Sequence, residues 1–127
     1  MDSVYLTPPA ARRLEALRIL LPTSCGMLLG HKRAHTSIVE DIVPTEENIL
    51  SDPSVYDSLS QIYGDGIIGF FGTQPHEVFF NSLLCPAAYG KIVLSFKPGP
   101  EENPILFPQT VSFNGKFFLE PISIEEQ

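Results

Sequence analysis

Three histidines, two cysteines and fifteen carboxylates are the side chains of this chain with the chemistry to bind a metal or move a proton. His31 and His35 flank a polar turn, with Glu40 beyond it. Imidazole and carboxylate are zinc ligands, but a site needs three converging on one point, and this spacing straddles a turn. They read as surface histidines. His76 and Glu77 open a predicted helix, where Glu77 complements the positive dipole end, a structural role rather than an acid–base pair. Cys25 and Cys85 are too few for a disulfide framework. Asp2, Pro8 and Pro9 also break any secretory leader pattern, so the expectation is reduced thiols and a cytoplasmic protein. Gly64-Asp65-Gly66 lacks the third glycine of a phosphate loop, and no Lys-Ser/Thr pair follows it. No serine occupies a strand-to-helix elbow between glycines, so no Ser-His-Asp order is supported.

These residues must be positioned by alternating short helices and apolar strands. Thr7 caps a helix whose first turn takes Pro8 and Pro9, and Leu6, Ala10, Leu14, Leu17 and Leu21 give it one apolar face, up to Pro22. Residues 25–30 read as a buried strand, and residues 36–43, closed by Pro44, as its hairpin partner. Asp52 and Pro53 start a helix over 52–63, with Val55, Leu59 and Ile62 at helical spacing. The run Ile67-Ile68-Gly69-Phe70-Phe71 is the mark of a strand buried on both faces. A short helix is expected over 76–85, ending at Pro86, and another buried strand over 91–96. The remainder reads as a meander with a hairpin turn at Asn114-Gly115. Phe70, Phe71, Phe79, Phe80, Phe113, Phe117 and Phe118 look like a core or an interface, because Lys and Arg do not interleave with them as in a base-stacking platform. The resulting class is α+β (α/β-like), a single domain over 1–127 with a mixed sheet.

Three segments in order carry more than a fold class. Cys25-Gly26-Met27-Leu28-Leu29-Gly30 follows an amphipathic helix, an apolar strand ending in Pro44 comes next, and then Gly69-Phe70-Phe71-Gly72-Thr73-Gln74-Pro75. Together they resemble the MPN/JAB (Mov34/PAD-1) superfamily, whose active members are JAMM zinc isopeptidases that remove ubiquitin or ubiquitin-like proteins. The resemblance covers nearly the whole chain, since residues 91–96 look like the family's following strand. It implies a compact MPN/JAB-type mixed sheet packed between helices.

The resemblance also implies where a zinc site would lie. A catalytic zinc takes three His or Asp/Glu ligands and an open position for water, with a nearby Glu to take the water's proton. Laid on the pattern H-x-H-P-x7-S-x2-D by Pro75, the His positions fall on Gly72 and Gln74, the serine on Ser82 and the Asp on Cys85. The general base falls on Thr23, and a slip of one residue reaches only Pro22 or Ser24, neither an acid. Gly72 has no side chain, Gln74 is a weak neutral ligand, and Cys85 alone supplies one ligand where three are needed. No metal, no cofactor and no catalytic residue are therefore expected. Ser82 reads as a helix serine bonding its own backbone, sharing one helical face with Cys85 three residues on.

Composition narrows the partners. The formal net charge is −7, with 43% hydrophobic and 18% charged residues, a globular rather than a disordered composition. Residues 1–33 carry five cations against two acids, and residues 34–127 carry three against thirteen, a balance of +3 beside −10. An acidic chain is a poor match for nucleic acid or an anionic membrane, and its apolar runs fall far short of the roughly 18 residues of a membrane span. The function expected is a non-catalytic MPN-like interaction or scaffolding domain, a pseudo-isopeptidase that has lost its zinc site. Its partner would be another protein: a second MPN domain, itself, or, by resemblance only, a ubiquitin-like protein. Two alternatives differ in class. One is an atypical hydrolase with a displaced metal or a thiol site at Cys85, with Cys25 on the same strand face as Thr23. The other is a small ligand held by Thr73, Gln74 and Ser82 in the vacated zinc pocket.

Overall fold

The computed structural model describes residues 2–21, 24–45, 53–73, 77–100 and 104–125. The chain runs β1 (Ser3–Leu6), α1 (Pro8–Leu20), β2 (Cys25–Arg33), β3 (Thr36–Thr45), α2 (Pro53–Tyr63), β4 (Ile67–Gly72) and α3 (Glu77–Ser82). It continues with β5 (Ile92–Pro98), β6 (Pro104–Phe113), β7 (Phe117–Pro121) and β8 (Ser123–Ile124). Among the described residues no helix is long and apolar enough to cross a membrane.

The strands form one sheet in the order β7-β6-β5-β4-β2-β3-β1-β8. Its two edge strands, β7 and β8, are separated in the chain by Ile122 alone. The sheet must therefore curl until its edges nearly meet. Residues 117–125 act as one bent strand: Ile122 N–H donates to the Pro108 carbonyl at 3.1 Å, and Glu125 N–H to the Val4 carbonyl at 2.8 Å. This overturns the expected α+β, MPN/JAB-type sheet packed between helices. Strand residues outnumber helical ones, and the architecture is a nearly closed, barrel-like sheet of eight strands with three short helices laid against it. The difference comes from β1 and β8, which extend one edge of the sheet by parallel pairing with β3 and with each other.

The local readings explain most elements. Thr7 caps α1, its hydroxyl 3.4 Å from the Ala10 N–H, with prolines in the first turn. On α1 the Arg18 guanidinium bonds the Glu15 carboxylate and holds it below its ordinary pKa. Successive residues of the central strands enter different cores, as a two-residue period requires. Leu28, Phe71 and Leu94 join Val4, Leu14 and Ile42 in one cluster. Met27, Phe70 and Val93 join Ile67, Leu83 and Val111 in the other. The strand around Phe70 and Phe71 is thus buried on both faces, as its unbroken apolar run predicts.

The β2–β3 hairpin turns at Ala34 and His35, and Ala34 adopts φ 56°, the left-handed region that a Cβ disfavours. Ala34→Gly is expected to raise stability by about 0.5–1 kcal/mol, read as a higher urea midpoint with an unchanged slope. A lower midpoint would show that the hairpin does not hold this conformation in solution.

Candidate functional site

Of the zinc-site positions implied by the resemblance, Gly72, Ser82 and Cys85 lie among the described residues. Gly72 is the last residue of β4 and lies opposite Cys25 of β2. Thr73 follows, 3% exposed. Its N–H donates to the Ser24 carbonyl at 2.9 Å. Its hydroxyl is shared between the carbonyls of Ser24 at 3.1 Å and Leu21 at 3.4 Å. The Leu21 carbonyl also accepts from the Ser24 N–H at 3.0 Å and the Ser24 hydroxyl at 2.7 Å. The exit of β4 is therefore laced to the connection between α1 and β2, and Thr73 is part of that lacing. Its hydroxyl faces main-chain oxygens, whereas the pocket reading has it offered to a ligand.

Ser82 and Cys85 are not on one helical face. Helix α3 ends at Ser82, where the Leu83 N–H bonds the Phe80 carbonyl at 3.1 Å in a tightened turn. Cys85 is extended (φ −149°, ψ 163°) and precedes a 3-10 turn at Pro86–Ala88. The cause is Pro86, which drives the residue before it out of the helical region. The predicted helix over 76–85 is thus shortened at its C-terminal end. Ser82 is half-buried and engaged in contacts of its own. Cys25 and Cys85 both pack against the cluster of Met27, Phe70 and Val93, and no disulfide joins them. Cys85 thus has the surroundings of a small apolar side chain. Thr23, Gln74, Pro75 and His76 lie outside the described residues.

The histidines of the β2–β3 hairpin separate into different pairs. His31 Nδ1 bonds Glu40 across the hairpin, while His35 Nδ1 lies 3.6 Å from an Asp2 oxygen. Among the described residues no three His, Cys, Asp or Glu side chains converge as a metal site would require. Two cavities open elsewhere. One of about 440 Å³ is lined by Asp2, Thr110 and Glu120 to Ser123, and one of about 330 Å³ by His31, Lys32, Ser37, Ile68, Gly90 and Lys91. Neither includes Gly72, Thr73, Ser82 or Cys85.

What sequence reasoning missed lies beside the lacing, on α1. Its inner residues Ala10 and Leu14 are buried, yet Ile19, Leu20 and Leu21 are 62%, 74% and 56% exposed. Ala16, one turn before Leu20, is exposed too, as is Arg12 one turn earlier. The signal was present as Ile19 and Leu20, which fall outside the stripe formed by Leu14, Leu17 and Leu21. The Arg12 end of this face is cationic, while Arg13 pairs with Asp41 at 2.9 Å and Arg18 with Glu15.

No protein-family model matches this chain, and no curated protein does. Among solved structures, it is similar to the solution structure of protein DSY2949 from Desulfitobacterium hafniense, at 15% identity and a TM-score of 0.58. The match covers 98% of this chain and 94% of that one. At that identity the likeness shows a shared fold over the full length and carries no activity with it.

Proposed function

We propose that this domain is a protein-interaction module that binds a partner and transforms no substrate. The observation that supports it is the outer face of α1. The outer face of an amphipathic helix is ordinarily polar, yet here its C-terminal end exposes large apolar side chains beside the charged residues. The patch Ala16, Ile19 and Leu20, with Arg12 at one end, suits a protein surface of apolar side chains bordered by carboxylates. The lacing of Thr73 and the apolar packing of Cys85 support the same reading, because both residues already have structural work. The MPN-like order of segments supports it from the sequence side. There, too, Gly72 and Gln74 bind zinc poorly or not at all, and Cys85 supplies one ligand where three are needed.

A photo-crosslinking residue in place of Leu20 tests the proposal. It should give one discrete adduct in cells, absent when the same residue replaces Tyr89, which is 58% exposed at a distant turn. Ile19→Gln with Ala16→Gln should remove the adduct and leave the stability within about 0.5 kcal/mol, as expected for surface changes. Equal or diffuse labelling at both positions would overturn the interaction face. One zinc per chain in protein purified without chelator would overturn the non-catalytic reading.

A further inference from the structure

The edge strand β7 leaves one side of its main chain unpaired by any strand among the described residues. Hydrogen bonds bracketing β7 set its alternation: Asn114 N–H donates to the Lys116 carbonyl at 3.2 Å, and Ile122 N–H to the Pro108 carbonyl at 3.1 Å. With β6 and β7 in register Ser112↔Phe118 and Thr110↔Glu120, the even-numbered residues of β7 direct their main-chain groups toward β6. Phe117 and Leu119 therefore direct theirs away, and among the described residues β7 pairs with no strand but β6. The side chains alternate as well. Phe117 and Leu119 pack on the second core cluster, whereas Lys116, Phe118 and Glu120 project from the opposite face, and Phe118 belongs to neither cluster.

We propose that this edge is self-complementary and that two copies of the chain pair through it, β7 against β7 antiparallel, about a two-fold axis at Phe118. The argument is one of register and charge. Centring the pair on Phe118 sets Phe117 of one copy opposite Leu119 of the other. Their outward N–H and C=O groups then exchange about four ladder hydrogen bonds. Phe118 meets Phe118 in the closer, non-hydrogen-bonded geometry that favours aromatic cross-strand pairs. Lys116 of each copy falls opposite Glu120 of the other, on the same face as the Phe118 pair. The segment Lys116-Phe117-Phe118-Leu119-Glu120 thus reads as its own complement in the antiparallel sense. Lys116 has no ion-pair partner among the described residues. Glu120 accepts one bond, from the Ser112 hydroxyl at 2.9 Å. Pro121, with no N–H, and the exposed turn around Gly115 end the pairing after five residues. So short a contact makes a weak, reversible dimer. It gives the interaction module a named partner, a second copy, and does not depend on the α1 face.

Sedimentation of the full chain at about 0.15 M salt, where only close charges are felt, tests this. The wild type is expected to show a concentration-dependent monomer–dimer equilibrium. Lys116→Glu and Glu120→Lys should each weaken it about tenfold or more, since each turns two attractive cross-strand pairs into repulsive ones. The two variants shift the net charge of −7 in opposite directions, so weakening by both isolates the local pairs from bulk repulsion. Mixing the two variants, or combining both changes in one chain, should restore association. Both positions are exposed, so the melting temperature should be unchanged. A monomer at every concentration, indifference to either reversal, or failure of the mixture to recover would overturn the proposal. So would a dimer abolished by Ile19→Gln with Leu20→Gln and untouched by the reversals, which would assign the contact to α1.

Discussion

Phe71→Ala is expected to destabilise the domain by about 3–5 kcal/mol, the cost of removing a buried aromatic ring and leaving a partly collapsed cavity. Phe71 is fully buried and sits in the cluster that joins α1 to the centre of the sheet, with Leu14, Leu28 and Val39. Single domains are stable by about 5–15 kcal/mol, so this one change removes about a fifth of the total or more. The measurement is the urea midpoint of the variant against the wild type. Phe113→Ala is the control. That ring is 54% exposed and tilted at 49° against Phe117 at a centroid distance of 4.8 Å, so its loss should cost less than about 1.5 kcal/mol. Equal costs at the two positions would mean that the sheet does not bury Phe71 as described.

Gly26→Ala is expected to be comparably damaging, at about 3 kcal/mol, for the opposite reason. A Cβ on Gly26 would stand 2.1 Å from the Val43 carbonyl oxygen, 2.8 Å from Pro44 Cα and 2.9 Å from a Phe71 ring carbon. Two of these are backbone atoms of the paired strand β3, which cannot move aside without breaking the ladder. The residue belongs to the segment that resembles the MPN/JAB family, and its glycine is explained by close strand approach. Gly69, in the second resembling segment, has the same cause, since its Cβ would lie 2.2 Å from the Ile92 carbonyl oxygen. A Gly26→Ala variant that folds with an unchanged midpoint would remove this explanation.

These two glycines show how a motif can be legible while its meaning is not. Apolar periodicity identified α1, and short apolar runs bounded by Gly, Pro or polar turns identified both strands of the first hairpin, β4 and β5. Asn114-Gly115 marked the hairpin between β6 and β7 through local turn chemistry, and Gly115 does take a positive φ of 109°. Strand β1 was not legible. It has four residues, too short for a period, and it is held by parallel pairing with β3 some thirty residues away. The same is true of β8, two residues long and paired to β1. The end of α3 was legible in principle, since Pro86 restricts Cys85, but the apolar run through Leu83 and Leu84 concealed it.

The Phe-rich C-terminal segment posed a choice between core and interface, and the structure divides it residue by residue. Phe117 and Leu119 are half-buried against the second core cluster, while Phe113 is exposed and Phe118 stands outside both clusters. Alternation along a strand makes both readings true of one segment.

The sequence by itself determined the side-chain inventory at every position. It also determined which strands are buried on both faces, where α1 begins and where the last hairpin turns. Only the tertiary structure decided the strand order, the near closure of the sheet by residues 117–125, the engagement of the Thr73 hydroxyl with Leu21 and Ser24, and the open edge at β7. The reason is physical. Burial is written in side chains and repeats locally, whereas strand partners are chosen by main-chain N–H and C=O groups that nearly every residue carries alike.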